Sequence, residues 1–156
     1  MKECAFEDSL ALAETACANH IHKTTGMTVC VATNDKGLLD CGVFDIGFPQ
    51  TGEHAIYKAE GYHFRAKLDV VNRKREDVQR AVMRLLKSFP INADTNAADQ
   101  LRETSNVIVF RLAPQTQFLS EIDTVEVQQP KDSRPVRCWG CTALFDVVFR
   151  AKRTDS

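Results

Sequence analysis

The pattern of apolar and polar positions between residues 61 and 88 predicts a strand that runs directly into a helix. From Tyr62 to Val70 every second residue is apolar and the residues between them are polar or charged, as in a strand with one buried and one solvated face. Farther along, the apolar positions take helical spacing, at Val78, Ala81, Val82, Leu85, Leu86 and Phe89. Pro90 stops this helix. Such a helix can fold back over the apolar face of its strand.

Further elements of both kinds are predicted on either side of this pair. A first helix spans Asp8–His22, with Asp8 or Ser9 as its N-cap. One or two irregular strands, with a bulge at a glycine, are predicted over Leu38–Phe48. More regular strands are predicted at Thr28–Ala32, Ala55–Lys58, Asn106–Leu112, Thr124–Gln128 and Arg137–Lys152. This order predicts an α+β fold, a mostly antiparallel β-sheet with two main α-helices packed on one face.

Two polar segments are predicted to be surface loops. Ile91–Asn106 is rich in Asn, Asp and Thr, and we expect a single helical turn in it at Ala97–Leu101. Ala113–Asp123 is a second loop, in which Phe118 and Leu119 are apolar residues with few apolar neighbours in the sequence. No linker divides the 156 residues, so a single domain over 1–156 is expected.

Composition and charge narrow the functional classes. A formal net charge of −1 argues against a protein that binds nucleic acid through a large basic field. The sequence has no run near the roughly 18 apolar residues of a membrane span. Glu3 lies where a secretion signal would begin its apolar run, so we expect no such signal. A soluble protein without a membrane or a sequence-specific nucleic-acid partner is therefore expected.

The six cysteines are expected to be reduced and packed, without a disulfide; they are Cys4, Cys17, Cys30, Cys41, Cys138 and Cys141. The Cys-x-x-Cys spacing of Cys138 and Cys141 can mark a redox dithiol or half of a zinc site. However, the residues that follow have strand character, and in a strand the two thiols point to opposite faces. A small cytosolic metal or redox domain therefore stays the less favoured alternative, and no metal or cofactor is expected.

No set of residues has the spacing of a catalytic site. His20 and His22 face different ways on a helix, and His54 and His63 have no nucleophile or carboxylate at a recognised catalytic spacing. Glycine-rich nucleotide-binding loops are also absent from the sequence. We therefore expect a protein that binds or assembles and is not an enzyme.

Seven residues are predicted to form a contact between subunits. Phe118 and Leu119 would be buried between copies of the chain. The basic run Arg73-Lys74-Arg75 would meet Glu121 and Asp123 of a neighbour. Two alternatives stay open: Phe118 could fold under its own loop as a satellite of the core, and the basic run could be a solvated loop.

The elements together resemble the tail terminator proteins of long-tailed bacteriophages, a family also described as tail completion, neck or minor tail proteins. The resemblance covers nearly the whole chain and lies in the order and character of its elements. They are a short helix at Asp8–His22, Gly47-Phe48-Pro49 in a strand region, a strand running into a helix from Phe64 to Ala81, the strand Val107–Leu112 and a last strand at Leu144–Arg150.

This resemblance implies a structural, non-enzymatic protein of the virion tail, assembled in the host cytoplasm. Members of the family form rings, usually of six subunits, on the end of the tail tube. The implied partners are further copies of the chain, the tail tube protein and the head–tail connector protein. Another non-catalytic head–tail joining or baseplate subunit with the same α+β build is the alternative.

Overall fold

The structure is a computed structural model that describes residues 6–31, 41–49, 56–57, 61–89, 97–101, 106–113, 118, 121–127 and 134–150. Within these ranges the chain forms two α-helices, α1 (Phe6–Thr25) and α2 (Arg75–Ser88), and a 3₁₀ turn (Ala97–Gln100). The strands are β1 (Val29–Val31), β2 (Cys41–Pro49), β3 (Ile56–Tyr57), β4 (Gly61–Asn72), β5 (Val107–Leu112), β6 (Asp123–Val127) and β7 (Val136–Phe149). The predicted α+β fold is confirmed.

The two longest strands, β4 and β7, form the centre of one sheet with the order β1-β2-β4-β7-β5. Their antiparallel register runs from Tyr62 opposite Phe149 to Asn72 opposite Trp139. β3 adds to β4, and β6 adds to β7. The pairing of β1 with β2 is parallel, whereas the other strand pairs of the described residues are antiparallel. The predicted placement of the central strand and the last strand in one antiparallel sheet is confirmed.

The predicted strand-to-helix unit is also confirmed. Val78, Leu85 and Phe89 are fully buried, so the apolar stripe of α2 faces the sheet. Glu76 and Asp77 in the first turn and Lys87 in the last turn have the signs that the helix dipole favours. The helix ends where the Phe89 N–H donates to the Leu85 carbonyl, at 2.8 Å.

Both helices lie on the same face of the sheet and share one core. α1 contributes Ala13, Cys17 and Ile21, all fully buried. The centre is aromatic: ring centroids lie 5.1–6.2 Å apart, mostly edge to face, among Phe44, Phe89, Phe110 and Phe145. This cluster ties β2, β5 and β7 to the end of α2.

The bulge predicted at a glycine lies in β2, between Asp45 and Phe48. Gly47 has φ of 78°, and a Cβ on it would overlap the backbone oxygen of Arg65, so only glycine fits. The amide of Ile46 donates instead to the Glu14 carboxylate of α1, at 3.0 Å. A side chain of the helix thus completes the hydrogen bonding of the bulge.

Two sequence predictions need correction. α1 begins at Phe6, so Asp8 and Ser9 lie inside the helix and neither caps it. Tyr62 belongs to the apolar alternation but is 43% exposed, because it lies at the beginning of β4. The alternation predicts the buried face correctly from Phe64 to Val70.

Candidate functional site

An open groove of about 690 Å³ lies between α2 and the segment that precedes β6. One wall is Arg75 and Val82 of α2, and the floor is Cys141 of β7. The other wall consists of Phe118, Glu121 and Ile122.

Strand pairing along β7 explains why this groove forms. β5 pairs with β7 over residues 145–149 and β6 pairs with it over residues 136–140, both antiparallel. Between them the backbone of Phe118 forms an isolated bridge with Ala143. Phe118 therefore touches β7 between the two pairings, and the groove lies between Phe118 and α2.

Phe118 is half-buried and packs against the helix-side core. This position agrees with the alternative that Phe118 is a satellite of the core. Its remaining surface faces the groove. Leu119 lies outside the described residues.

The basic run lies at the turn from β4 into α2, and all three residues are exposed. Lys74 is the N-cap residue, and its amide donates to the Asn72 side-chain oxygen at 3.2 Å. The guanidinium carbon of Arg75 lies 5.9 Å from the ring centroid of Trp139, a cation–π contact that directs Arg75 over β7. Arg75 thus lines the groove, whereas Arg73 and Lys74 are not among its lining residues.

Glu121 and Asp123 are both exposed. The Asp123 carboxylate accepts a hydrogen bond from the Thr124 amide at 2.7 Å. Of the predicted contact residues, the structure therefore brings Arg75, Phe118 and Glu121 together in one groove of a single chain.

The chemistry of the groove suits binding better than reaction. Burial raises the pKa of the Cys141 thiol, and a hydrogen bond with the Thr142 backbone offsets this only in part. The thiol therefore stays protonated and is a poor nucleophile at neutral pH. Val82, Phe118 and Ile122 offer an apolar surface between one positive and one negative side chain. An apolar side chain with polar neighbours fits such a groove.

A second cluster, on the sheet face opposite the helices, was not predicted from the sequence. Asp146 of β7 is 5% exposed, and Arg65 of β4 and Arg111 of β5 lie directly opposite it in register. Its oxygens lie 3.1 Å from His63 Nε2, 3.3 Å from Arg65 Nε and 3.7 Å from Arg111 Nε. The only signal in the sequence is one carboxylate inside the apolar run 143–149.

The environment of Asp146 keeps it ionised. Burial alone would raise its pKa, but the hydrogen bond from His63 and the charges of His63, Arg65 and Arg111 outweigh burial and lower the pKa. One carboxylate thus neutralises cationic side chains from two neighbouring strands. We interpret this cluster as a structural ion network that links β4, β7 and β5.

Neither Cys138 nor Cys141 lies in a group that could bind a metal, and across the described ranges no set of three or more His, Cys, Asp and Glu side chains has such an arrangement. Cys141 belongs to the helix-side core, whereas Cys138 pairs with Val125 and lies outside that core. The predicted opposite orientation of these two cysteines is confirmed.

None of the described helices is both long and apolar enough to span a membrane.

No protein-family model matches this chain, and no curated protein matches it either. The fold, the groove and the charges of this chain are therefore the features that bear on its function.

Proposed function

We propose that this protein is a structural subunit of a bacteriophage tail, of the tail terminator type. It works without catalysis, as a ring of copies, six in the usual arrangement, that caps the tail tube and joins it to the head connector. Its place is the virion tail, after assembly in the host cytoplasm.

The observation that carries this proposal is the open groove beside α2. It combines an apolar lining with Arg75 and Glu121 at its walls, and it leaves part of Phe118 uncovered. Burying the rest of such a side chain against another subunit stabilises the complex by up to about 1.5–3 kcal/mol. A groove of this kind supports association with a protein surface.

The order of elements supports the same proposal. An N-terminal helix, a strand region with Gly47 at a bulge, a strand entering a helix and a final long strand are the features on which the family resemblance rests. In the structure they form one sheet with both helices on one face. This agreement concerns the fold, and the assembly function is inferred from it.

Deletion of the coding sequence from its resident phage or prophage genome tests the function. We expect particles with tails of uncontrolled length, or heads and tails that fail to join, in electron micrographs. Wild-type protein supplied in trans should restore normal particles. Gln79→Ala, a change at an exposed position of α2, is the matched control and should restore them equally well.

Normal infectious particles from the deletion strain would contradict the proposal. Detection of the protein by mass spectrometry in purified tails gives an independent measurement. A tail terminator should be found in a few copies per particle, whereas absence from purified tails would also overturn the assignment.

A further inference from the structure

The charges of this chain are unevenly distributed. Residues 73–87 contain six lysines and arginines and two acidic residues, whereas the rest of the chain contains fourteen lysines and arginines and nineteen acidic residues. The segment is thus basic within a chain that is otherwise acidic. It coincides with α2 and the turn that leads into it.

An exposed methionine lies on the outward face of α2. Met83 is 65% exposed, although it is a large apolar side chain. Arg80 and Lys87, three positions before Met83 and four after it, lie on the same face of the helix. Arg84 follows Met83 directly, and all three cations are exposed. Arg80 already pairs with Asp77 of its own helix, at 3.0 Å. Arg84 and Lys87 are therefore the cations beside Met83 that are best placed to meet a second molecule.

A surface of opposite charge to α2 lies at the wall of the groove that faces α2. Residues 121–127 contain three exposed acidic side chains and no lysine or arginine. Glu126 lies opposite Arg137 in the register of β6 and β7, so unlike charges face each other there. Glu121 lines the groove next to its apolar residues, and Asp123 follows two residues later, at the beginning of β6.

We infer that Met83 of one copy enters the groove of a second copy, with Arg84 and Lys87 next to Glu121 and Asp123 of that copy. This inference rests on the proposed function and names the surfaces through which its subunits meet. The flexible thioether side chain of methionine suits an irregular apolar groove. The opposite charges of the two surfaces fix their relative orientation.

In this arrangement Arg84 and Lys87 meet the acidic residues of a neighbour, in place of the predicted run Arg73-Lys74-Arg75. Arg75 already lines the same groove as Glu121 of its own chain, and it lies against Trp139. The outward residues of α2 are on a different surface from the groove. Because the two docking surfaces differ, each copy can bind one neighbour on either side. Such head-to-tail contacts build rings or filaments and not closed two-fold dimers.

Charge reversal tests this contact on the full-length protein. Sedimentation velocity over a concentration series compares the wild type with Arg84→Glu/Lys87→Glu, with Glu121→Lys/Asp123→Lys and with the protein that carries all four changes. We expect the wild type to associate. Each double variant should associate at least about tenfold more weakly. The fourfold variant, and an equimolar mixture of the two double variants, should recover association because opposite charges face each other again.

The matched control is Arg134→Glu/Arg150→Glu, which reverses two exposed charges outside both surfaces and should leave association unchanged. Met83→Glu should abolish association without lowering the melting temperature, because Met83 makes little contact with its own chain. Wild-type protein that stays monomeric at its highest soluble concentration would overturn the inference. So would association that neither double variant weakens, or failure of the fourfold variant to recover it.

Binding of duplex DNA by the wild type that is lost in Arg84→Glu/Lys87→Glu, without self-association, would assign the basic face to nucleic acid and overturn the inference. The two proposals fail separately. If particles need the protein but charge reversal has no effect on association, only the contact is wrong. If the deletion strain makes normal particles, the assembly function is wrong whatever the charge variants do.

Discussion

On the helix-covered face of β4 and β7 the side chains are apolar, whereas the opposite face of the same strands presents His63, Arg65 and Asp146. The first face packs phenylalanine rings and the stripe of α2. The second face places one buried carboxylate among two arginines and a histidine. Two surfaces made by the same two strands are thus stabilised by different interactions.

This difference matters because the two kinds of interaction respond differently to change. Apolar burial has no direction, and its loss scales with the volume removed. An ion network depends on its partners, and removal of the Asp146 carboxylate takes one acceptor away from the side chains around it. The apolar packing of the helix-covered face should therefore not depend on pH by itself, whereas the ion network of the opposite face should weaken in acid.

The largest effect is expected on the helix-covered face. Leu85 is fully buried in the core, so Leu85→Ala should lower the free energy of unfolding by about 2–5 kcal/mol. Met83→Ala on the same helix is the control and should change it by less than about 0.5 kcal/mol. Urea denaturation measures both. A loss below about 1 kcal/mol for Leu85→Ala would mean that α2 does not pack on this face.

Asp146→Asn probes the opposite face. It keeps the shape of the side chain but removes the charge that Arg65, Arg111 and His63 share, and we expect a loss of about 1.5–3 kcal/mol at pH 7. This loss of stability is smaller than that expected for a fully buried ion pair, because the Arg65 side chain is 40% exposed and partly hydrated. An unchanged unfolding midpoint in urea would show that the network adds no stability.

The pH dependence of stability sharpens the same comparison. The pKa of Asp146 is lower in the folded protein than in the unfolded chain, so its contribution is present above the unfolded pKa, which is about 4. It is lost as the pH falls through the folded pKa. The stability difference between the wild type and Asp146→Asn should therefore shrink in acid. A difference that stays constant between pH 7 and strongly acidic pH would contradict this.

Glu14 joins α1 to the bulge of β2, and two substitutions separate its charge from its hydrogen bond. Glu14→Ala leaves the buried Ile46 amide without its acceptor, which costs about 1–3 kcal/mol. Glu14→Gln keeps an acceptor oxygen and should be the more stable of the two. Equal melting temperatures for both variants would mean that water replaces the carboxylate at Ile46.

The charge of Glu14 gives a second pH-dependent difference, of opposite sign to that of Asp146. Burial raises the pKa of Glu14, the Ile46 amide lowers it in part, and the Asp45 charge raises it again. Because the folded pKa is raised, ionised Glu14 reduces stability at neutral pH, and this cost disappears as the pH falls through the folded pKa. Glu14→Gln should therefore melt above the wild type at pH 7 and lose this advantage in acid.

The smallest expected effect concerns the cysteines. We expect neither a chelator nor a mild reductant to change the melting temperature, because no metal and no disulfide is predicted to stabilise the fold. A stoichiometric metal in the purified protein, or a clear loss of stability on reduction, would contradict this.

The elements that the sequence predicted well are those with a local signal. The alternation in β4 and the helical spacing in α2 each lie within a few residues, so the strand, the helix and their shared face could be predicted together. The bulge at Gly47 was predicted for the same reason, from glycine inside an apolar run. The parallel pairing of β1 with β2 was not predicted, since a three-residue strand carries no signal of direction.

The ion network and the groove were predicted less well because they depend on contacts between residues that are distant in the sequence. Asp146 meets Arg65 and Arg111 only because β4 and β5 both pair with β7, and no spacing along the chain shows this. Arg75 and Glu121 were predicted to meet between subunits, yet they line one groove within the chain. The position of Glu121 next to α2 could not be derived from composition.

The most direct measurement of the assembly proposal compares stability with association in Phe118→Ser/Leu119→Ser. Because Phe118 is only half-buried, we expect a smaller fall in melting temperature than in Leu85→Ala, together with loss of association in sedimentation velocity and of normal tails in the complementation experiment. If the melting temperature falls as far as in Leu85→Ala, while the folded fraction still associates and completes tails, Phe118 belongs to the core of its own subunit. That result would contradict a subunit contact at the groove.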